Sequence, residues 1–212
     1  MYVKDYMSQD LVTVTPETSV LKAVDVLKAH DINRLPVMVK GKLVGLVTKE
    51  EIDLNSPTNA SSLSKYEMNY LLDKMTVGDI MAKHMFTVSP DTLLDEAAET
   101  MLNKSIGSLL VMEGEKLVGI ITDKDIFRTF IDISGYYTAG TSLVIELSDD
   151  RKGVIEEIGD ALVAADHNLS NMLVYHLRDA IRVVLHVDEE NVDNLIDALS
   201  QAGYEVKTVV KR

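Results

Sequence analysis

The chain has 212 residues, 46% of them hydrophobic, no cysteine and a formal net charge of −13. This length suits one large domain or two to three small ones, and the absence of cysteine excludes disulfides and cysteine–metal sites. Residues 1–135 carry 14 basic and 20 acidic side chains, and residues 136–212 carry 7 and 14, so both parts are acidic. Neither part has the basic face that a nucleic-acid backbone requires, although a local basic pocket for a small anion stays open.

The beginning of the chain, MYVKDYMSQD, carries charges and no apolar run, which argues against a signal peptide. No uncharged apolar stretch reaches about 18 residues, the length read as a membrane-spanning helix. We therefore expect a cytoplasmic protein with no membrane partner.

The first part of the chain contains a repeat. Residues 3–52, the first copy, align without a gap with residues 77–126, the second copy, and 18 of the 50 positions are identical. TVTPET and KLVGLVT in the first copy correspond to TVSPDT and KLVGIIT in the second. This similarity indicates a duplicated structural unit. Because so short a unit buries little surface alone, we expect the copies to pack against each other.

Each copy is predicted to form a helix, a hairpin and a second helix. The strands are expected at 34–39 and 42–48, joined by Lys40-Gly41, and at 108–112 and 116–122. A helix should begin after the threonine that ends each hairpin. The first helix of each copy should bury one face, formed by Val20, Ala23, Val24 and Leu27 or by Leu94, Ala97, Ala98 and Met101.

The segment between the copies combines a loop and a helix. NSPTNASS has the composition of a loop, and LSKYEMNYLLDKM at 63–75 is predicted to be helical. We expect this helix to dock on the repeat pair through a stripe formed by Leu63, Tyr66, Tyr70 and Leu71.

From Thr141 onwards the pattern changes to strand, helix, strand, strand, helix and strand. Alternating apolar residues predict strands on both sides of a turn at Arg178-Asp179, and Gly203 should end the last helix. The apolar positions expected to face the core are Leu143, Ile145, Leu147, Val154, Ile158, Ala161, Ala165, Ile181, Val183, Leu185, Val187, Val192, Leu195, Ile196 and Leu199. This order is the ferredoxin-like arrangement, so the predicted fold class is α/β (α+β).

A threonine followed three residues later by an acid occurs at the end of each copy, as Thr48–Glu51 and Thr122–Asp125. Such a pair is a capping box, which stabilises a helix by about 1 kcal/mol and needs no ligand. A helix N-terminus also suits a phosphate group, and an acid beside it can accept hydrogen bonds from a ribose. The residues alone favour capping and leave both readings open.

The repeated pattern resembles the CBS domain, which occurs in tandem as a nucleotide-sensing module. The resemblance covers most of residues 1–130 and rests on TVTPET/TVSPDT, INRLPVM/IGSLLVM and the ending G-h-h-T-x-x-D/E, where h is apolar. In that family the Thr and Asp of this ending bind the phosphate and ribose of an adenosine ligand between paired units. Thr122 and Asp125 match this pattern, Thr48 also matches, and Glu51 stands where Asp is usual.

The resemblance also implies further ligand-binding positions. Arg34 and Lys124 are expected phosphate partners, and Thr87 and Ser108 complete the predicted nucleotide site. Because Ser108 stands where the first copy has Arg34, the two sites should not be equivalent. The expected ligand is AMP, ADP or ATP, the last of these with or without Mg²⁺.

Residues 142–212 resemble an ACT domain through SDDRKGVIEEIGDAL and HNLSNM. In that family such segments hold an amino acid at an interface between the sheets of two subunits. The positions that match are Asp149 and Gly153 in the first loop and Asn168 in the turn, and Lys152 replaces the proline often found before the glycine. A sheet that dimerises without a ligand remains an equal alternative.

The whole arrangement resembles the AcuB-type acetoin-utilisation family, which implies a regulatory role connected with carbon metabolism. The predicted divisions are a CBS unit at 1–55, a linker with a docking helix at 56–76, a second CBS unit at 77–135 and an ACT domain at 141–212. A homodimer is expected, together with a regulated enzyme that the sequence does not identify.

Catalytic motifs are absent from the sequence: it has no GxSxG, P-loop or GxGxxG, and its five histidines lack metal-ligand spacing. We therefore predict a sensor without catalytic residues, a protein-bound metal site or a covalent cofactor. Two alternatives stay open, an interaction scaffold with empty sites and a nucleotide-hydrolysing enzyme.

Overall fold

The computed structural model describes residues 1–56, 64–147 and 151–212, and these divide into two units, Met1–Ile126 and Phe127–Arg212. The first copy forms the predicted helix, hairpin and second helix. Their bounds are α1 Val20–Ala29, β1 Arg34–Val39, β2 Lys42–Thr48 and α2 Lys49–Asn55. Lys40 and Gly41 have φ angles of 50° and 80°, as a two-residue hairpin turn requires.

The next described helices are α3 Lys65–Lys74 and α4 Val77–Ile80. The helix α3 packs on the core of the first copy, but the prediction of its inward face was wrong. Tyr66 and Tyr70 are 88% and 63% exposed, and the buried face is formed by Leu72 with Met68. Tyrosine tolerates solvent because its hydroxyl can be hydrated, so the stripe alone did not fix the orientation. Leu63 lies outside the described residues.

The second copy repeats the architecture of the first. Its elements are β3 Thr87–Val88, α5 Leu94–Lys104, β4 Ser108–Glu113, β5 Lys116–Thr122 and α6 Asp123–Ile133. The two hairpins are antiparallel and have the same register, with an irregularity after Val37 in one and after Val111 in the other. The duplication predicted from the sequence is therefore a structural duplication.

Each copy packs its first residues on the core of the other copy. Val3 is fully buried with Leu94 and Leu109 in the core of the second copy, whereas Val77 is fully buried in the core of the first. Isolated bridges continue this exchange, since Ser8 pairs with β5 and Ala82 pairs with β2. Neither core is complete without a segment from the other copy, so the two copies form one folding unit.

Two glycines make this exchange possible. An added Cβ atom at Gly45 would lie 2.4 Å from the sulfur of Met81, and one at Gly119 would lie 2.5 Å from the sulfur of Met7. Both distances are shorter than van der Waals contact, so each methionine occupies the space that a side chain on the facing strand would take.

The second unit has the predicted ferredoxin-like arrangement. Its elements are β6 Thr141–Leu147, α7 Val154–Ala164, β7 Leu169–His176, β8 Ile181–Val187, α8 Asp193–Gln201 and β9 Glu205–Lys211. The strand order is β7-β8-β6-β9 and every neighbouring pair is antiparallel. The core lies between one sheet face and both helices and contains the predicted residues, with Ala165, Ile181 and Ile196 partly buried at its margin.

Glu157 on α7 connects three parts of this unit. Arg151 donates two hydrogen bonds to its carboxylate, at 2.6 and 2.7 Å, and the Tyr204 hydroxyl donates another. These hydrogen bonds lower the pKa of Glu157 from 4.5 to about 2, and the hydrogen bonding from Arg151 has the largest effect.

No helix in the described parts of the chain is both long and apolar enough to cross a membrane.

Replacing Gly45 with alanine should lower the free energy of unfolding by about 1–3 kcal/mol, because the new methyl group overlaps Met81. Chemical denaturation would measure the loss. In the double variant Gly45→Ala/Met81→Ala the loss should be smaller than the sum of the single losses. As a control, Gly159→Ala adds a methyl group to α7 that meets no described atom within 4 Å other than those of its chain neighbours and its own helix backbone, and should stabilise by about 0.5–1 kcal/mol. Additive losses would contradict the assigned contact.

Glu157 should make stability depend on acid pH. Its pKa is lower in the folded protein than its ordinary value of 4.5, so its stabilisation is complete above pH 4.5 and disappears as the pH falls towards about 2. Glu157→Gln should lower Tm at neutral pH and flatten the decrease of Tm between pH 5 and 3. Glu156→Gln removes the same charge one residue away and should keep the parental profile. Identical profiles for both variants would exclude the proposed role.

Candidate ligand-binding site

The predicted site residues lie where each hairpin passes into its second helix. Strand register places Arg34 opposite Thr48 in the first copy and Ser108 opposite Thr122 in the second. The backbone N–H that follows each threonine donates to the residue preceding the hairpin, from Lys49 to Asn33 (2.9 Å) and from Asp123 to Gly107 (3.2 Å). Each helix start is therefore fixed to the beginning of its own hairpin.

Both threonine–acid pairs form capping boxes. In the first copy the Glu51 carboxylate accepts hydrogen bonds from the Thr48 N–H (2.9 Å) and hydroxyl, and the Glu51 N–H donates to Thr48 Oγ1 (3.2 Å). In the second copy Asp125 Oδ2 accepts from the Thr122 N–H (2.8 Å) and hydroxyl (2.7 Å). The capping interpretation is thus realised at both positions, and any ligand role must be compatible with it.

A cleft of about 780 Å³ opens beside the threonine–acid pair of the first copy, within the unit Met1–Ile126. Four of the predicted site residues line this cleft, namely Arg34, Thr48, Glu51 and Ser108. Its wall also includes the apolar residues Leu46, Met85, Phe86 and Ile106. The cleft therefore combines a cation, hydroxyl groups and a carboxylate with an apolar surface.

The remaining predicted nucleotide-site residues lie elsewhere. Thr122, Lys124 and Asp125 occupy the equivalent helix start in the second copy and do not line this cleft. Thr87 is exposed on β3, where it pairs with Leu110. The structure thus gathers the first-copy residues and Ser108 around one cavity and separates them from the other four.

Residues 82–86 also contribute to the cleft, which the sequence pattern did not predict. Ala82, His84 and Phe86 line the cleft because the beginning of the second copy pairs with β2 of the first. His84 packs edge-on against Phe86, with ring centroids 5.2 Å apart. The sequence offered one hint of this pairing, the identity of Met7 and Met81 at equivalent positions of the repeat. Pairing between the copies is a long-range contact, however, and a local sequence pattern does not predict it.

Arg34 extends from the first copy to the second across Gly107. An added Cβ atom at Gly107 would lie 2.3 Å from Arg34 Nη2 and 3.1 Å from Asp123 Oδ2. The missing side chain at Gly107 therefore leaves space for the guanidinium group, which reaches the start of α6.

Two of the predicted effector residues, Gly153 and Asn168, lie in the described part of the second unit, where they occupy different places within one chain. Gly153 precedes α7 with a φ of 97° and lines a cavity of about 420 Å³ together with Arg151, Lys152 and Met172. Asn168 lies outside that lining and donates a hydrogen bond of 2.9 Å to Asp188. Asp149 lies outside the described residues.

Within residues 1–56, 64–147 and 151–212, no three His, Asp or Glu side chains are grouped so that they could hold a metal ion.

Comparison with protein families matches the CBS domain at residues 3–53 and 77–132, which together are half of the chain. The protein belongs to the CBS domain family. The tandem pair predicted from the repeat is thereby confirmed. The CBS match ends at residue 132, and the assignment of the ferredoxin-like unit as an ACT domain stays a prediction.

Three solved structures illustrate the similarity of the CBS pair. A Vibrio cholerae protein named for acetoin utilization (AcuB) is 27% identical, with a TM-score of 0.52, over 62% of this chain and 91% of its own. The CBS pair of protein MJ0100, solved with 5′-methylthioadenosine and S-adenosyl-L-methionine, is 30% identical with a TM-score of 0.51, over 61% and 95%. CBSX2, solved with AMP, is 29% identical with a TM-score of 0.53, over 62% and 97%.

Curated relatives match only through part of their length. Three of them are 31–36% identical to this chain over 58–60% of it, and the chain spans about a quarter of their length (23–24%). Most of the length of these relatives therefore lies outside the region that they share with this chain, and their named activities belong to the longer proteins.

The capping boxes predict a measurable stability loss in both copies of the CBS pair. Thr48→Ala and Thr122→Ala should each lower the free energy of unfolding by about 1 kcal/mol, because each removes the hydroxyl that caps a helix. Urea denaturation followed by circular dichroism would measure it. Thr48→Ser and Thr122→Ser keep the hydroxyl and should retain most of the stability, whereas equal losses for serine and alanine would contradict capping.

Proposed function

We propose that this protein is a non-catalytic sensor that binds an adenosine ligand in the cleft of its CBS pair. The observation that carries the proposal is the cleft itself, which places the Arg34 guanidinium, the Thr48 hydroxyl and the Glu51 carboxylate beside an apolar wall. These groups suit the three parts of an adenosine ligand. The guanidinium suits a phosphate or other polar substituent, the hydroxyl and carboxylate suit a ribose, and the apolar wall suits a base.

Each part of an adenosine ligand has a partner in the cleft. The apolar wall, with Phe86 and Ile106, offers contact to the faces of the base. The bonds of Glu51 to Thr48 use Oε2, so Oε1 would accept from a ribose hydroxyl without breaking the cap. Arg34 and Lys49 would contact a substituent at the 5′ position of the ribose.

The similar proteins support an adenosine ligand in general. MJ0100 was solved with two adenosine thioether or sulfonium compounds and CBSX2 with AMP. In the second copy, Thr122, Lys124 and Asp125 form the corresponding helix start, and with Thr87 they are the candidate residues of a second site. Their separation from the cleft is the reason to test the two copies independently.

The second unit would transmit the effect of ligand binding to a partner, or modulate the affinity of the cleft for its ligand. We propose that it is an ACT domain that dimerises, with Gly153 and Asn168 as candidate effector residues for an amino acid or other small molecule. The similarity to the Vibrio cholerae protein supports a regulatory role connected with acetoin utilisation. The partner enzyme would respond only if ligand affinity differs between two states of the protein.

Adenosine ligands should raise the Tm of the purified protein, because a ligand present at about 100 times its Kd stabilises the native state by about 2.7 kcal/mol. We would test adenosine, AMP, ADP, ATP and S-adenosylmethionine in parallel. Glu51→Ala should remove the part of the shift that comes from the cleft, whereas Asp125→Ala should keep that part. These two variants are matched, because each removes the acid of a capping box.

The opposite pattern, loss of the shift with Asp125→Ala alone, would move the site to the second copy. No shift with any of the compounds would contradict the proposal and favour an interaction scaffold. Release of phosphate from ATP by the protein would instead favour an enzyme.

A further inference from the structure

The charges around the cleft are mostly negative. Two cations line it, Arg34 and Lys49, against three carboxylates, Glu50, Glu51 and Asp53. A fourth carboxylate, that of Asp123, lies beside the Arg34 guanidinium, since both approach the same point above Gly107. The side chains that would have to neutralise several phosphate groups are therefore outnumbered by acids.

The start of α2 does not compensate for this charge. Its first turn contains Glu50 and Glu51, which already interact favourably with the positive end of the helix. Two of its first three N–H groups have partners within the protein, Lys49 to Asn33 at 2.9 Å and Glu51 to Thr48 at 3.2 Å. A phosphate group would find few unpaired donors here and two carboxylates close by.

Taking the proposed function as its basis, we infer that the cleft selects adenosine derivatives with little or no net negative charge at the 5′ substituent. A neutral nucleoside, a thioether or a sulfonium cation fits this chemistry. Each additional phosphate adds negative charge beside Glu50 and Asp53, and in a partly solvated cleft such repulsion is weakened but not abolished by salt. Arg34 suffices for one phosphate, so AMP should bind with intermediate affinity and ADP and ATP weakly.

Calorimetric titration of the full chain with adenosine, S-adenosylmethionine, AMP, ADP and ATP tests this inference. In low salt without Mg²⁺, ATP should bind at least about tenfold more weakly than adenosine or S-adenosylmethionine. The difference should become smaller at high salt, and also when Mg²⁺ neutralises part of the phosphate charge. ATP binding more tightly than adenosine and S-adenosylmethionine would overturn the inference and leave the proposed function intact.

A charge-removing variant gives an independent readout. Glu50→Gln/Asp53→Asn should strengthen ATP binding by about fivefold or more and leave adenosine binding within about twofold, because neither side chain is needed for the nucleoside. Asp95→Asn/Glu96→Gln is the matched control, because it removes the same charge from the start of α5, outside the cleft. This control should leave all affinities unchanged.

Unchanged ATP affinity in Glu50→Gln/Asp53→Asn, or equal gains in the control, would overturn the inference. If no adenosine compound binds the parent protein, the proposed function itself fails and the inference fails with it. The two failures are thus distinguished by whether adenosine and S-adenosylmethionine bind.

Discussion

The reciprocal exchange of segments between the two copies is the constraint on which the CBS pair depends. Val3 completes the second core and Val77 completes the first, so neither copy can bury its apolar surface alone. The exchanged chain can cross the facing hairpins because Gly45 and Gly119 leave room for Met81 and Met7. Close packing without space for a methyl group makes this contact sensitive to sequence.

The cleft is a consequence of that exchange. Residues 82–86 run beside β2 of the first copy and supply one wall, while the start of α2 supplies the other. The two walls come from different copies, so a ligand between them would bind both. A change in how the copies pack would therefore change the cleft, which is the physical requirement for coupling ligand binding to a second state.

The threonine–acid pairs show how one local structure can serve two purposes. Capping and ligand contact are compatible, because the carboxylate has two oxygens and the cap of the first copy uses Oε2 of Glu51. The cap fixes the side chain in one orientation, which lowers the entropy lost when a ligand binds. The same acids also bring negative charge to the helix start, so a stable cap and a strong polyphosphate site oppose each other here.

The sequence by itself determined the local elements, because their signals act over a few residues. Hairpin turns, helix starts and the strand–helix order of the second unit follow from glycine positions, capping residues and apolar periodicity, and the repeat determined that the copies are alike. Only the tertiary structure decided which residues meet. It turned Tyr66 and Tyr70 of α3 outwards, brought Phe86 to the cleft and kept Asp125 away from it. These outcomes depend on contacts between segments far apart in the chain. There the free energy gained by burying apolar surface across the whole unit outweighs the local conformational preference of any single segment.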